Sequence, residues 1–239
     1  MLTVVTGWGP NCWDDYAHRF AETFREFWPA GTPCIAYVER PVGGLSGIEQ
    51  RLLLDIPGCI DFLQRHEGNE EARGIKPNKK WRPKHIASGY NFRFDALKFF
   101  RQGYIPLDAA FDCKTEFLAW FDADVIFTAP VTPERVVGMM PSDKCVAYLG
   151  RPPFHSEIGF QLYRLPGALP HLQEFRDLYD SDRVFGLGEY HSAFVFDEAL
   201  ARSGVAAHNM TPNGKGDVWL QSPLRAFSAH LKGRRKYRR

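Results

Sequence analysis

Two aspartates one residue apart, Asp122-Ala123-Asp124, close a run of five apolar residues, Phe117-Leu-Ala-Trp-Phe121. Such a run reads as a central strand buried on both faces. Carboxylates at the carboxyl end of a strand stand where open α/β sheets bind ligands. Paired oxygen donors of this kind suit Mg²⁺ or Mn²⁺ and, through the ion, a diphosphate. In a straight strand residues i and i+2 share a face, so both carboxylates would reach one ion. A bare Asp-x-Asp arises often by chance. The strand before it and Val125-Ile-Phe127 after it favour the functional reading. A second feature is electrostatic. Residues 232–239 hold six cations, Lys232, Arg234, Arg235, Lys236, Arg238 and Arg239, in a chain of net charge +2, so the remainder is acidic on balance. A basic tail suits phosphates, whether on a nucleotide, a nucleic acid or an anionic membrane surface, and the alternative is a solvated end.

The elements that must position these groups follow from pattern. Residues 2–6 are apolar and β-branched, and Gly7-Trp-Gly-Pro-Asn11 breaks the strand. Tyr16, Phe20, Phe24, Phe27 and Trp28 recur at helical spacing from Asp14 onward, and Pro29 with Gly31 ends that helix. Cys34-Ile-Ala-Tyr-Val38 is the next strand. The opening is therefore β–loop–α–β, the unit of a parallel sheet. Residues 67–84 are polar and basic and read as an exposed loop or lid. Phe94, Leu97, Phe100 and Tyr104 share one helical face, and a connector leads to Phe117–Phe121. Residues 145–149 and 158–163 read as strands, 169–179 and 190–203 as helices. No repeat and no long linker interrupts the chain, which predicts one α/β domain.

Composition bounds the rest. The 239 residues are 44% hydrophobic and 24% charged, which excludes a disordered chain. No run of about 18 apolar residues occurs, so no transmembrane helix is expected. The start lacks the pattern of a signal peptide. Five scattered cysteines, none in CxxC spacing, argue against a disulfide framework or a zinc ribbon. A cytoplasmic location is the expectation.

The order of these features resembles the nucleotide-sugar-dependent glycosyltransferases of GT-A fold. The similarity is to the glycogenin-like and lipopolysaccharide galactosyltransferase-like group. Three segments carry it besides Asp122-Ala-Asp124: Asn91-Phe-Arg93-Phe94 after Tyr90 upstream, Glu157-Ile-Gly159 where the group has Asn-x-Gly, and His230-Leu-Lys-Gly233-Arg-Arg-Lys236-Tyr237 where it has His-x-x-Gly-x-x-Lys-Pro-Trp. The resemblance implies an α/β, Rossmann-like, mostly parallel central sheet flanked by helices. It implies a nucleotide-sugar half over residues 1–129 and an acceptor half over 130–239. It further implies that Asp122 and Asp124 hold Mn²⁺ or Mg²⁺ with His230 as third ligand. Gly233 and Lys236 would hold the diphosphate and Arg93 would contact the donor. The loop Thr6-Gly7-Trp8 would receive the nucleoside. Three departures stand out. Glu157 replaces Asn, the spacing from Arg93 to Asp122 implies an insertion around residues 103–114, and the Asp-Gln pair of the second half is absent, with Gly188-Glu-Tyr-His-Ser192 the local candidate.

The chemistry matches the residues. Departure of a nucleoside diphosphate builds negative charge that a divalent ion and cationic side chains stabilise. If the anomeric centre inverts, a base must deprotonate the acceptor, and Glu189 and Glu157 are the candidates. The implied partners are a nucleotide-diphosphate sugar and a glycan, protein or small-molecule acceptor. One alternative is a haloacid-dehalogenase-like phosphohydrolase, with Asp122 as nucleophile and Asp124 as acid. That class places its motif near the start of the domain, whereas here β–α–β structure precedes it. The other alternative is a non-enzymatic RNA or anionic-surface binder. The sequence carries no RRM, KH or helix-turn-helix signature, which argues against nucleic acid.

Overall fold

The computed structural model describes residues 1–9, 11–75 and 89–233. Among these, seven strands form one sheet. In its parallel part β1 (Leu2–Trp8) is hydrogen-bonded to β2 (Cys34–Val38) on one side and to β4 (Phe117–Phe121), the central strand of the seven, on the other. A short strand, β3 (Glu49–Leu52), extends the sheet beyond β2 in the same direction. Beyond β4 the long strand β7 (Phe154–Arg164) runs antiparallel, between β4 and β6 (Val146–Arg151). The far edge is β8 (Ala207–Asn209), parallel to β6. Two more strands, β5 (Val125–Phe127) and β9 (Ser228–His230), form a separate antiparallel ladder.

Every residue of β2 and β4 is buried, which is why these segments read as unbroken apolar runs rather than alternating ones. Alternate side chains feed two cores. Val4, Ala119, Phe121 and Phe160 point to the face covered by α1 (His18–Phe27) and α5 (Pro133–Val137). Val5, Leu118, Trp120 and Tyr163 point to the opposite face. That face is covered by α2 (Cys59–His66), α4 (Arg101–Asp112), α6 (Leu169–Asp180) and α7 (Ser192–Ser203). The result is a helix–sheet–helix sandwich, as the β–α–β opening predicts. At the centre of the second core lies His171, fully buried against the rings of Tyr163, Phe175 and Phe196.

Several expectations are corrected at their boundaries. The helix expected from Asp14 begins with one π-helical turn, Trp13–Ala17, before α1. The periodic stretch around Phe94–Tyr104 is not one helix: a 3₁₀ turn at Phe92–Phe94 and the short α3 (Ala96–Phe99) precede α4. The Asn91 and Asp95 side chains accept the Arg93 and Lys98 N–H groups, and such caps restart the backbone twice within eight residues. The connector expected before β4 is helical through Asp112, with Pro106 inside it. The second halves of the basic loop at 76–84 and of the C-terminal motif, including Lys236, lie outside the described residues. Among the described residues no helix is long and apolar enough to cross a membrane.

Candidate functional site

The three expected metal ligands meet at the carboxyl end of β4. Asp122-Ala-Asp124 is not a continuation of the strand, as the i, i+2 argument assumed. It is a tight turn between β4 and β5, closed by the Val125 N–H donating to the Asp122 carbonyl at 3.0 Å. The small Ala123 side chain packs into the core, which leaves the flanking carboxylates on the outer side of the turn. His230 arrives on β9, where it pairs directly with Val125. The Leu231 N–H donates to the Asp124 carbonyl at 2.9 Å and closes the ladder over the turn. His230 Nε2 consequently lies 2.9 Å from Asp124 Oδ1 and 3.8 Å from Asp122 Oδ2. One donor atom from each of the three residues lies within 4.8 Å of the others.

The surroundings orient this group. Gln102 Nε2 and Trp120 Nε1 both donate to Asp122 Oδ1, at 2.8 and 2.9 Å, leaving Oδ2 toward His230. Gly159, the glycine of Glu157-Ile-Gly159, has a spatial reason to be glycine. A Cβ there would come within 2.5 Å of His230 Cε1 and 2.9 Å of Nδ1. Glu157 lies 3.6 Å from His230 Nδ1 and forms an ion pair with Lys232. Burial raises the Asp122 carboxyl well above the ordinary range, and the Asp124 charge raises it further. Burial by itself would lower the His230 imidazole, but the hydrogen bond and charge of Asp124, with Asp122 and Glu157, hold it above its usual value. Half-buried carboxylates that repel one another beside a histidine are a costly arrangement without a cation. Two carboxylate oxygens and one imidazole are a donor set that Mn²⁺ or Mg²⁺ accepts, so the residues fit the ion expected from the sequence.

The group opens on a cleft of about 460 Å³, a size that suits a small ligand. Gly7 and Trp8 from the end of β1, Gln102, Asp122, Asp124, Glu157 and His191 all contribute to its lining. Trp8 is mostly buried and stacks on Trp13 with ring centroids 5.6 Å apart. Thr6 is fully buried in the sheet and does not line the cleft. Arg93 does not line it either, because its guanidinium turns to Glu189, with NH1 donating to Oε1 at 3.0 Å. Glu189 stands behind His191, whose Nε2 lies 2.8 Å from Oε2 of the carboxylate. Gly233, in the left-handed region at φ 56°, is the last described residue of the C-terminal motif.

Sequence reasoning gave no individual site role to Gln102, Trp120, Lys232 or His155, and reached His191 only as part of the segment Gly188-Glu-Tyr-His-Ser192. Gln102, Lys232 and His155 meet their partners only across the fold, whereas Trp120 and His191 stand two residues from Asp122 and Glu189 without a spacing that singles them out. His155 and His191 join Glu189 in a second group whose donor atoms also lie within 4.8 Å of one another.

No family model matches the chain, and no curated protein matches it. Among solved structures the chain is similar to the crystal structure of a glycosyltransferase involved in the glycosylation of the major capsid of PBCV-1. The TM-score is 0.53 and the identity 15%, with 98% of each chain covered. At that identity the likeness concerns the fold. The α/β architecture with its mostly parallel sheet is the GT-A type expected from the sequence.

Proposed function

We propose that this chain is a metal-dependent glycosyltransferase that moves a sugar from a nucleoside-diphosphate donor to an acceptor hydroxyl. The observation that carries the reading is the meeting of Asp122, Asp124 and His230 at the carboxyl end of β4, with both carboxylates lining a ligand-sized cleft. The fold likeness to a glycosyltransferase supports it. On this reading Asp122, Asp124 and His230 hold Mn²⁺ or Mg²⁺, and the bound ion neutralises the diphosphate as it leaves. Gln102 and Trp120 fix the Asp122 carboxylate so that little reorganisation is needed when the donor arrives. Gly7 and Trp8 form the nucleoside wall. Gly233 and Lys236 belong to the diphosphate side, and residues 1–129 and 130–239 divide donor from acceptor. Glu189 serves the acceptor through the histidine it holds, while Glu157 is engaged by Lys232. The five cysteines are free thiols, in keeping with a reducing, cytoplasmic setting.

The test is a thermal-shift panel of UDP-, GDP-, CMP- and TDP-linked sugars with and without Mn²⁺, since a ligand bound only by the folded state raises its stability by RT ln(1 + [L]/Kd). One class of donor is expected to shift the midpoint in Mn²⁺ alone. Asp122→Asn and Asp124→Asn are each expected to abolish that shift while unfolding cooperatively without ligand. A metal-independent shift, or one retained in both variants, rejects the site.

A further inference from the structure

The segment Glu189–Ser192 enters α7 and is pinned from an unexpected direction. The Arg93 carbonyl accepts the N–H groups of Tyr190 at 2.7 Å and His191 at 3.1 Å, while the Arg93 guanidinium holds Glu189 Oε1. The other carboxylate oxygen, Oε2, faces two imidazole nitrogens, His191 Nε2 at 2.8 Å and His155 Nε2 at 3.4 Å. Arg93, Glu189 and the two histidines come from three separate stretches of chain, so local geometry does not force them together. Of the four, His191 alone lines the cleft, where Phe92, Phe99 and Ser192 also stand. The rings of Phe92 and Phe99 lie 6.1 and 6.2 Å from the His191 ring, centre to centre.

We propose that His191, oriented by Glu189, is the base that takes the proton of the acceptor hydroxyl, and that the transfer therefore inverts the anomeric carbon. The proposal rests on the glycosyltransferase reading. An ionised carboxylate only accepts hydrogen bonds, so in the neutral imidazole the His191 nitrogen facing Glu189 carries the proton and Nδ1 holds the lone pair. Among the described residues no hydrogen-bond donor occupies that lone pair. In the step, the acceptor oxygen forms a bond to the anomeric carbon. The bond from that carbon to the diphosphate oxygen breaks, and its electron pair leaves with the diphosphate. The acceptor proton passes to His191 Nδ1, and Glu189 stabilises the resulting imidazolium. A base on the protein is what a single displacement requires. Glu157, the other candidate, lines the same cleft but is paired with Lys232. Charged or titratable groups that face His191 are Glu189, His155, Arg93 and, through Ser156, Asp197.

The experiment uses the full chain with Mn²⁺, the donor that gives the largest thermal shift, and water as acceptor, reading release of the nucleoside diphosphate. His191→Asn is expected to lower kcat by about 100-fold or more and leave the donor KM within about twofold. Glu189→Gln is expected to lower kcat by about tenfold or more with the donor KM unchanged, and Glu189→Asp to restore part of the loss. Proton NMR taken before mutarotation should show the inverted anomer first, and ¹⁵N-histidine spectra should show His191 protonated at Nε2. A His191→Asn enzyme turning over within a few-fold of wild type overturns the proposal and leaves the transferase reading standing. So does a retained anomer, or one equivalent of zinc in the purified protein that His155→Ala removes, since Nε2 would then be a ligand. Failure of every donor to bind wild type in Mn²⁺ rejects the transferase reading and this proposal with it.

Discussion

Gly159 shows how one missing side chain can set a site. The His230 ring occupies the space that a Cβ at this position would need, and the nearest ring atom stands 2.5 Å from it. Gly159→Ala must push the imidazole away from Asp124 or bend β7, and β7 is held by β4 on one side and β6 on the other. The ring is the softer element. Gly159→Ala is expected to weaken Mn²⁺ binding by on the order of 10- to 100-fold, measured by isothermal titration, with little change in far-UV circular dichroism. The same contact explains why the Gly of an Asn-x-Gly pattern persists here although Asn has become Glu157. Glycine answers to space at His230, whereas the residue two before it answers to whatever faces the cleft.

Among the elements, the β5–β9 ladder carries the site and the seven-stranded sheet carries the fold, so the two can be separated by mutation. The Leu231 N–H bond to the Asp124 carbonyl is part of that ladder. Leu231→Pro removes the donor at a cost of about 1 kcal/mol. Mn²⁺ affinity is expected to fall several-fold by titration while the unfolding midpoint moves by only a few degrees. The layer built by β7, α6 and α7 makes a different prediction. Burial pushes the His171 imidazole down to about 3, far below its unfolded value near 6.5. Between those limits the unfolded chain binds a proton that the folded chain refuses. Stability from this residue is therefore complete above about pH 6.5 and declines toward pH 3, by up to about 1.4 kcal/mol per pH unit. His171→Phe keeps the stacked rings and removes the titration, so urea melts should show a shallower acid limb than wild type. The difference in legibility between these elements has a physical origin. Phe117–Phe121 is legible because a strand buried on both faces needs no partner to be recognised. Strands of three residues such as β5 and β9 have no pattern of their own, and only the chemical spacing of His230, Gly233 and Lys236 pointed to the second of them. The capped breaks at Asn91 and Asp95 were invisible because the apolar period runs straight through both.

For the whole molecule, charge is distributed as unevenly as structure. Arg234, Arg235, Lys236, Arg238 and Arg239 follow the last described residue, on the same chain segment that brings His230 to Asp124 and Lys232 to Glu157. Deletion of residues 234–239 leaves both in place. Nucleoside diphosphate affinity in Mn²⁺ is expected to drop at least tenfold at low ionic strength, by titration calorimetry, with a smaller difference at high salt. Equal affinity at both salt concentrations would remove Lys236 from the diphosphate side. The site itself was half legible at this scale: Asp122 and Asp124 from their place after a buried strand, His230 through the resemblance its motif carries, the His155–Glu189–His191 group only once Arg93 is seen to tie α7 to the turn before α3. The placement of β1 between β2 and β4 has one more consequence, which concerns the order of assembly. Leu2 pairs with Phe117, so the first strand can find β2 early but must wait for β4 across a long intervening loop. Closing that loop costs chain entropy before any contact repays it, whereas β6 and β7 are sequence neighbours that pair locally. The antiparallel hairpin is thus the natural nucleus, β4 joins it, and the amino-terminal strands dock onto an edge already formed. The cleft between β1 and β4 is the seam where those two assemblies meet, so it is expected to form late in folding.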